Sequence, residues 1–344
     1  MKTIQQISHS AVETYSECSE KYRLHYIEKF RNEKTNSNLA WGGAIDAGIN
    51  ELLKTKMDPP EILPTPYKTY MENWNKFTIN GVEHDAKFCT LMEYNKIDLD
   101  PLLFTEYDYD EIRKYYPGKE PEQFIGEIVS LRDRFPWWSY EDMEESSKKA
   151  YNFLCWLCLA RKAEMIFEAY QTDVLPRIRR VLSIQEKVEL ENDNGDTVVG
   201  YIDFIAEMDD GKIYILDNKT TSDFKYYNTG KDGISKIQTS PQLSVYSFVK
   251  DLDQAGYIVI LKDIKADGRK KGSLPKVKIK IYLDSINREF QNATLNKFHL
   301  INSQIKGKIF NKKEDPKLCM SYGRKCPYWN YCWENTDKGL IKKV

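Results

Sequence analysis

Two aspartates and a lysine stand at the ends of two apolar stretches, Gly200-Tyr-Ile-Asp203-Phe-Ile-Ala and Lys212-Ile-Tyr-Ile-Leu-Asp217-Asn-Lys219. Residues two apart on a β-strand point the same way, so Asp217 and Lys219 share a face while Leu216 and Asn218 turn to the other. Two carboxylates and an amine are costly to hold together in apolar surroundings without a compensating charge. A divalent cation supplies it. Hard oxygen donors around an open coordination sphere suit Mg²⁺ or Mn²⁺, held jointly with substrate phosphates. A lysine beside such an ion can orient a water or neutralise charge that develops as a phosphodiester is cut. Alone, an Asp-x-Lys is more often a solvated strand end, so the chemistry depends on the elements that would bring these groups together.

Tyr201 to Ala206 and Lys212 to Leu216 are rich in β-branched and aromatic residues, and Asp209-Asp210-Gly211 between them supplies turn residues. A three-residue turn with Gly211 in the left-handed position sets Asp203 opposite Asp217 on one face. A two-residue turn at Asp210-Gly211 would send the two carboxylates to opposite faces. The first is expected. Downstream, Gln242 and Tyr246 become neighbours at i and i+4 if Gln242-Leu-Ser-Val-Tyr246 is helical. Upstream, Trp41-Gly42-Gly43 opens a second helix with Ile45, Ile49, Leu52 and Leu53 on one face, and it carries Asp46. Asp46 is either a third oxygen donor or a polar residue favoured by the macrodipole of a first helical turn. At the carboxyl end, Cys319-x6-Cys326-Pro327-x4-Cys332 gathers three thiolates within fourteen residues. That is one ligand short of a four-thiolate site.

Taken in order, the motifs resemble the PD-(D/E)XK nuclease signature, and within it the RecB-like exonuclease branch. The resemblance rests on Gly200-x-x-Asp203, Asp217-x-Lys219 and Gln242-x-x-x-Tyr246, over roughly 200 residues in separated blocks. It implies an α/β fold, a restriction-endonuclease-like mixed central sheet flanked by helices, with a helical insertion. It implies catalytic roles for Asp203, Asp217, Lys219, Gln242 and Tyr246, the last two orienting substrate or bracing Lys219. It also implies a Mg²⁺ or Mn²⁺ site built from Asp46, Asp203, Asp217 and the Asn218 carbonyl. The family carries a histidine where this chain has Asp46.

Cys18 resembles the missing fourth thiolate of the AddB-type and CRISPR-associated exonucleases, in which a 4Fe-4S cluster staples the two chain ends. Cys18-Ser19 stands where those proteins usually have Cys-Pro. Zn²⁺ on the same four cysteines, Cys18, Cys319, Cys326 and Cys332, is the alternative. The function implied is metal-dependent hydrolysis of DNA by an exonuclease acting on ends or single strands in replication, recombination or repair. The alternative is a catalytically silent DNA-binding or assembly subunit that keeps the fold.

Composition bounds the rest. The 344 residues carry 51 basic and 52 acidic side chains, net −1, so no global polyelectrolyte signal points to nucleic acid and any positive charge must act locally. Lys276, Lys278 and Lys280 alternate with Val277, Ile279 and Ile281 in the densest basic stretch. They are DNA-contact candidates, or guards of an edge strand. The longest apolar run, Phe153 to Ala160, is too short to span a bilayer, and Met1-Lys-Thr-Ile-Gln-Gln lacks the apolar core of a secretory signal. A cytoplasmic protein without membrane contact is expected. Seven cysteines, an odd number, argue for metal ligation over a full disulfide set.

Four segments are expected: a cluster limb with the Asp46 helix over 1–53, a helical insertion over 54–165, the nuclease core over 166–305 and the cysteine cluster over 306–344. Ile7 to Phe30 reads as two helical pieces, the first capped by Ser8, or by Ser10 with Glu13 completing a capping box. The acidic run from Tyr94 to Tyr116 is a solvated face or a dock for a protein partner. Phe135-Pro-Trp137-Trp138 is core or a base-stacking platform. Cys155 and Cys158 fall mid-helix in a pattern from Glu144 to about Arg180 and read as core. Strands are expected over Val181 to Leu190, with Glu186 on it, Tyr257 to Leu261 and Val277 to Leu283, and a helix over Asp284 to Ile305.

Overall fold

The computed structural model describes residues 6–60, 64–79, 82–94, 99, 103–134, 144–191, 197–230, 233–262, 264, 275–321 and 324–342. Phe135, Trp137 and Trp138 lie outside them, as do Arg269 to Gly272.

Among the described residues, six strands form a mixed sheet. β1 (Gln6–Ser8) leads into α1 (His9–Glu17). After α2 (Ser37–Lys54) and α3 (Glu145–Ala169) come β2 (Ile178–Glu191), β3 (Thr197–Met208) and β4 (Ile213–Thr221). α4 (Pro241–Lys250), β5 (Gln254–Leu261), β6 (Ile279–Ser285) and α5 (Arg288–Lys306) complete the frame. β2 pairs antiparallel with β3 along most of its length. On the other edge of β3, β4 pairs antiparallel from Phe204 to Glu207 and β1 pairs parallel from Thr197 to Val199. Between them, Gly200 to Asp203 meet no strand of the described residues on that edge, and the sheet forks. β5 continues parallel to β4, and β6 closes the row antiparallel to β5.

Alternation along the strands divides the interior in two. Phe204, Leu216, Ile258 and Ile260 pack against α2, α3 and much of the segment between them, including Ile45, Ile49, Phe153 and Phe167. Ile205, Ile215, Tyr257 and Val259 pack against α1, α4 and α5 through Val12, Leu243, Phe298 and Ile301. Cys155 and Cys158 are fully buried in α3 as small apolar residues.

Several expected boundaries move. α3 stops at Ala169, where a turn of wider helix and Pro176 intervene, and β2 begins three residues before Val181. α3 also runs unbroken across position 165, and the segment from 54 to 165 holds a small hairpin, Lys76–Ile79 with Val82–Asp85, besides its helices. α2 opens at Ser37, capped by Asn36, so Gly42 and Gly43 lie in its second turn and Asp46 lies beyond the first. The macrodipole therefore does not explain Asp46. α5 starts at Arg288 because β6 holds Asp284 and Ser285 in the sheet and Asn287 caps the helix. Ser8 caps α1, and Glu13 pairs with His9 instead of completing a box. Within the acidic run, Asp108 caps its helix through Thr105, and Glu106 and Asp110 pair with Arg113, so those three charges are answered within the chain.

The ends of the chain meet. Leu340–Lys342 pairs antiparallel with Phe30–Asn32, and the Ser19 hydroxyl accepts from the Asn311 amide at 2.8 Å.

Candidate active site

The turn of the β3–β4 hairpin fixes its register. Gly211 takes φ +81°, and the Met208 amide donates to the Lys212 carbonyl at 3.0 Å across a three-residue loop. Asp209 pairs with Arg177, and Asp210 accepts from the Tyr214 hydroxyl at 2.7 Å. The pairing that follows, Phe204 with Leu216 and Ile205 with Ile215, brings Asp203 against Asp217 at the fork. There the Asp203 carboxylate accepts from the Asn218 amide at 2.9 Å, so a side chain takes the place of a ladder bond. Asp203, Asp217 and Lys219 converge, with Lys219 Nζ 2.6 Å from Asp217 Oδ2. The Asn218 side chain turns to the other face, where its Oδ1 accepts from the buried Tyr170 hydroxyl at 3.1 Å.

α4 braces this arrangement. Ser240 caps it and also accepts from the Tyr257 hydroxyl at 2.7 Å, which ties the helix start to the strand beside Asp217. Gln242 Nε2 lies 3.1 Å from Asp217 Oδ1 and 3.2 Å from the Tyr246 hydroxyl. Gln242 therefore braces Asp217 directly, where the expected roles were to orient substrate or to brace Lys219. Tyr246 lies across Gly200: a Cβ there would stand 2.5 Å from the ring. The glycine of the first motif is thus fitted to the tyrosine of the last. Asp46 comes from α2 and is half-buried; Gly42, one turn earlier on that helix, faces Thr220 near the end of β4.

Burial, then the charge of Asp217, pushes the Asp203 carboxyl up to about 7. Burial, then the charges of Asp203 and Asp217, raises Asp46 well above the ordinary carboxylate range. Burial also raises Asp217, against the pull of Lys219 and Gln242. For Lys219 burial works against the charge, but the Asp217 pair outweighs it and the group is held as an ammonium. Three acids with one ammonium hold more negative charge than the pocket accommodates. Asp217 Oδ2 is buried and, among the described residues, makes no hydrogen bond of good geometry beyond its ion pair with Lys219. Excess carboxylate and an underused oxygen fit a hard divalent cation. Among the described residues, however, no three His, Cys, Asp or Glu side chains are drawn in tightly enough to grip a metal ion, here or at the cysteines. Such a site takes part of its coordination from water and substrate.

Lys219 opens into a cleft of about 570 Å³ between α1, the start of β3, a short turn at Phe224–Tyr227 and α4. His9, Tyr226 and Lys236 line it, and sequence reasoning missed all three. Their only signal is spatial: His9 reaches the cleft once β1 pairs with β3, and Tyr226 and Lys236 reach it from the segment between β4 and α4. Glu186 is bonded to Lys250 of α4. Lys280 on β6 and Lys276 and Lys278 just before it are exposed and alternate with half-buried Val277, Ile279 and Ile281. Lys280 Nζ lies 4.8 Å from the Phe224 ring centroid, at the turn that borders the cleft, and β6 is also an edge strand.

Cys18, Cys319, Cys326 and Cys332 line one small depression beside Trp329 and Trp333. Burial raises the Cys332 thiol to about 11, with Glu20 and the other three cysteines adding to it. The donor set suits a thiophilic metal or cluster, which would hold these sulfurs deprotonated. Cys89 lies apart and half-buried.

No curated protein matches the chain. A solved structure described as "Crystal structure of SSO0001" shares 14% identity over 51% of this chain and 70% of that one, with a TM-score of 0.24. No helix among the described residues is long and apolar enough to cross a membrane. Residues 133–333, more than half of the chain, match the model of the PD-(D/E)XK nuclease superfamily, and the chain belongs to that superfamily.

Proposed function

We propose that this protein is a Mg²⁺- or Mn²⁺-dependent deoxyribonuclease of the RecB-like exonuclease type, acting on DNA ends or single strands in the cytoplasm during replication, recombination or repair. The observation that carries the reading is the convergence of Asp203, Asp217 and Lys219 at the fork of the sheet, with Gln242 bonded to Asp217. A divalent cation, when bound, offsets the buried carboxylates and stabilises charge that develops on the scissile phosphate. Asp203, Asp217, Asp46 and the Asn218 carbonyl are the groups that would hold it. Lys219, protonated and open to the cleft, donates to the attacking water and fixes its approach. Gln242 keeps Asp217 from rotating away, and Tyr246 keeps Gln242 in place. Lys276, Lys278 and Lys280 contact phosphates farther along the strand. Cys18, Cys319, Cys326 and Cys332 hold a 4Fe-4S cluster that staples the ends of the chain, Zn²⁺ being the alternative.

Incubation of end-labelled single- and double-stranded DNA with the purified protein tests this reading. Cleavage is expected with Mn²⁺ or Mg²⁺, none with EDTA, and a fall of at least about a hundredfold in Lys219→Ala, the usual scale for removing one preorganised group. Equal products from wild type and Lys219→Ala would overturn the enzyme and leave a silent DNA-binding subunit.

A further inference from the structure

Resting on the nuclease reading, we infer that Tyr226 and Lys236 form a nucleotide-binding subsite on the rim of the cleft. The tyrosine stacks on an unpaired base and the lysine meets the adjoining phosphate. This subsite selects single-stranded DNA.

Tyr226 is 63% exposed, an unusual state for a tyrosine, yet its ring is not loose. It packs edge-on against Tyr227 at 5.3 Å, and Tyr227 packs edge-on against Tyr257 at 5.3 Å. Tyr257 is the β5 residue in register with Asp217. Three tyrosines therefore run in contact from beside the reacting groups to the surface, and the last presents an open face. The turn that carries it is fixed at its start, where Asp223 accepts from the Lys225 amide at 2.9 Å.

Lys236 Nζ lies 4.5 Å from the Tyr226 ring centroid, and among the described residues no carboxylate pairs with it. An unpaired ammonium above an exposed aromatic ring, in the cleft that holds Lys219, suits a base with its phosphate. The exposed ring decides the strand state, because a base paired inside a duplex keeps its faces stacked on its neighbours and cannot lie on Tyr226. The cleft, about 570 Å³, has room for a nucleotide beside the ring. Stacking does not discriminate among bases, because every base has a π-face, so little sequence preference follows.

The test is fluorescence anisotropy with a labelled, phosphorothioate-linked oligothymidine in Mg²⁺, against a blunt duplex and the same strand made abasic. Wild type should favour the single strand. Tyr226→Ala should bind it at least about fivefold more weakly, Tyr226→Phe should bind as wild type does, and the abasic strand should not distinguish the three. Lys236→Ala should lower the slope of log K against log salt by about 0.7, the value for one contact to a single strand. Tyr226 is exposed, so its truncation leaves both cores untouched. Equal binding by wild type and Tyr226→Ala, or a duplex bound as tightly as the single strand, would overturn the subsite whatever Lys219→Ala does to cleavage. Conversely, a Tyr226-dependent preference without cleavage would remove the enzyme and keep the subsite.

Discussion

Gly200 and Tyr246 show why single positions here serve the site from a distance. An alanine Cβ at 200 would stand 2.5 Å from the tyrosine ring and 3.0 Å from its hydroxyl, so the ring or the strand must move. Moving the ring releases Gln242, and with it one bond to Asp217. Gly200→Ala should lower stability by about 1–3 kcal/mol, the cost of overpacking, and should lower cleavage as well. Thermal unfolding of Gly200→Ala, Tyr246→Ala and the double variant checks the cause. Removing the ring should relieve the clash, so additive losses would count against it. The carboxyls give a second prediction at this scale. Asp203 titrates near 7 in the folded state and near 3.9 in an unfolded chain, so between those values the folded protein binds more protons. Without metal, stability should therefore fall as pH rises from about 4 to about 7. A bound cation replaces the proton and reverses the trend, so Mn²⁺ should raise the melting temperature more at pH 8 than at pH 5. Calorimetry with and without EDTA reads this, and an equal metal effect at both pH values would refute it.

At the scale of elements, the hairpin was legible because its information is local. Asp209, Asp210 and Gly211 dictate a turn type, the turn dictates register, and register sets Asp203 against Asp217. Gly211→Ala should cost about 1–2 kcal/mol, since alanine is strained at φ +81°. Cleavage well below the melting temperature should persist, because Ile205 and Ile215, both buried in one core, also specify the pairing. Chemical denaturation beside an activity assay measures both, and a folded but inactive Gly211→Ala would place the register wholly in the turn. Gln242 and Tyr246 were legible for the same local reason, helical spacing. Their partners were not, because Asp217 and Gly200 reach them only through tertiary packing. β1 was illegible altogether. Three residues carry no periodicity, and their partner strand begins some 190 residues on. Yet β1 borders the fork and delivers His9 to the cleft. Boundaries failed where one state yields to another within a few residues, as at Ala169 and Ser285.

Across the whole molecule, the amino-terminal limb serves two distant places. One end, β1, joins the sheet beside the fork, and the other, from Cys18 to Asn32, joins the carboxyl-terminal segment. The Tyr15 hydroxyl bonds to the Ile309 carbonyl at 2.5 Å, Ser19 to Asn311, and Tyr328 to His25 at 2.8 Å and to the Phe30 carbonyl at 3.1 Å. The four cysteines lie within this seam, so a cluster bound there closes a loop of some 300 residues. Closing so long a loop restricts the unfolded chain, and binding only to the folded state adds stability by mass action. The sheet should hold without the seam, because β3, β4 and β5 are buried between two cores whose buried residues end at Ile305, with the partly buried Phe310 packed against one of them. Cys18→Ser should therefore act regionally. Hydrogen exchange should rise over 6–32 and 309–342 while 200–221 stays protected, and cleavage should fall because β1 and His9 loosen at the fork. Elemental analysis of the wild type for iron, sulfide and zinc, with a visible spectrum, identifies the occupant. Unchanged exchange in both terminal segments of a metal-free Cys18→Ser protein would mean that the seam's hydrogen bonds alone join the ends, and that the cysteines staple nothing.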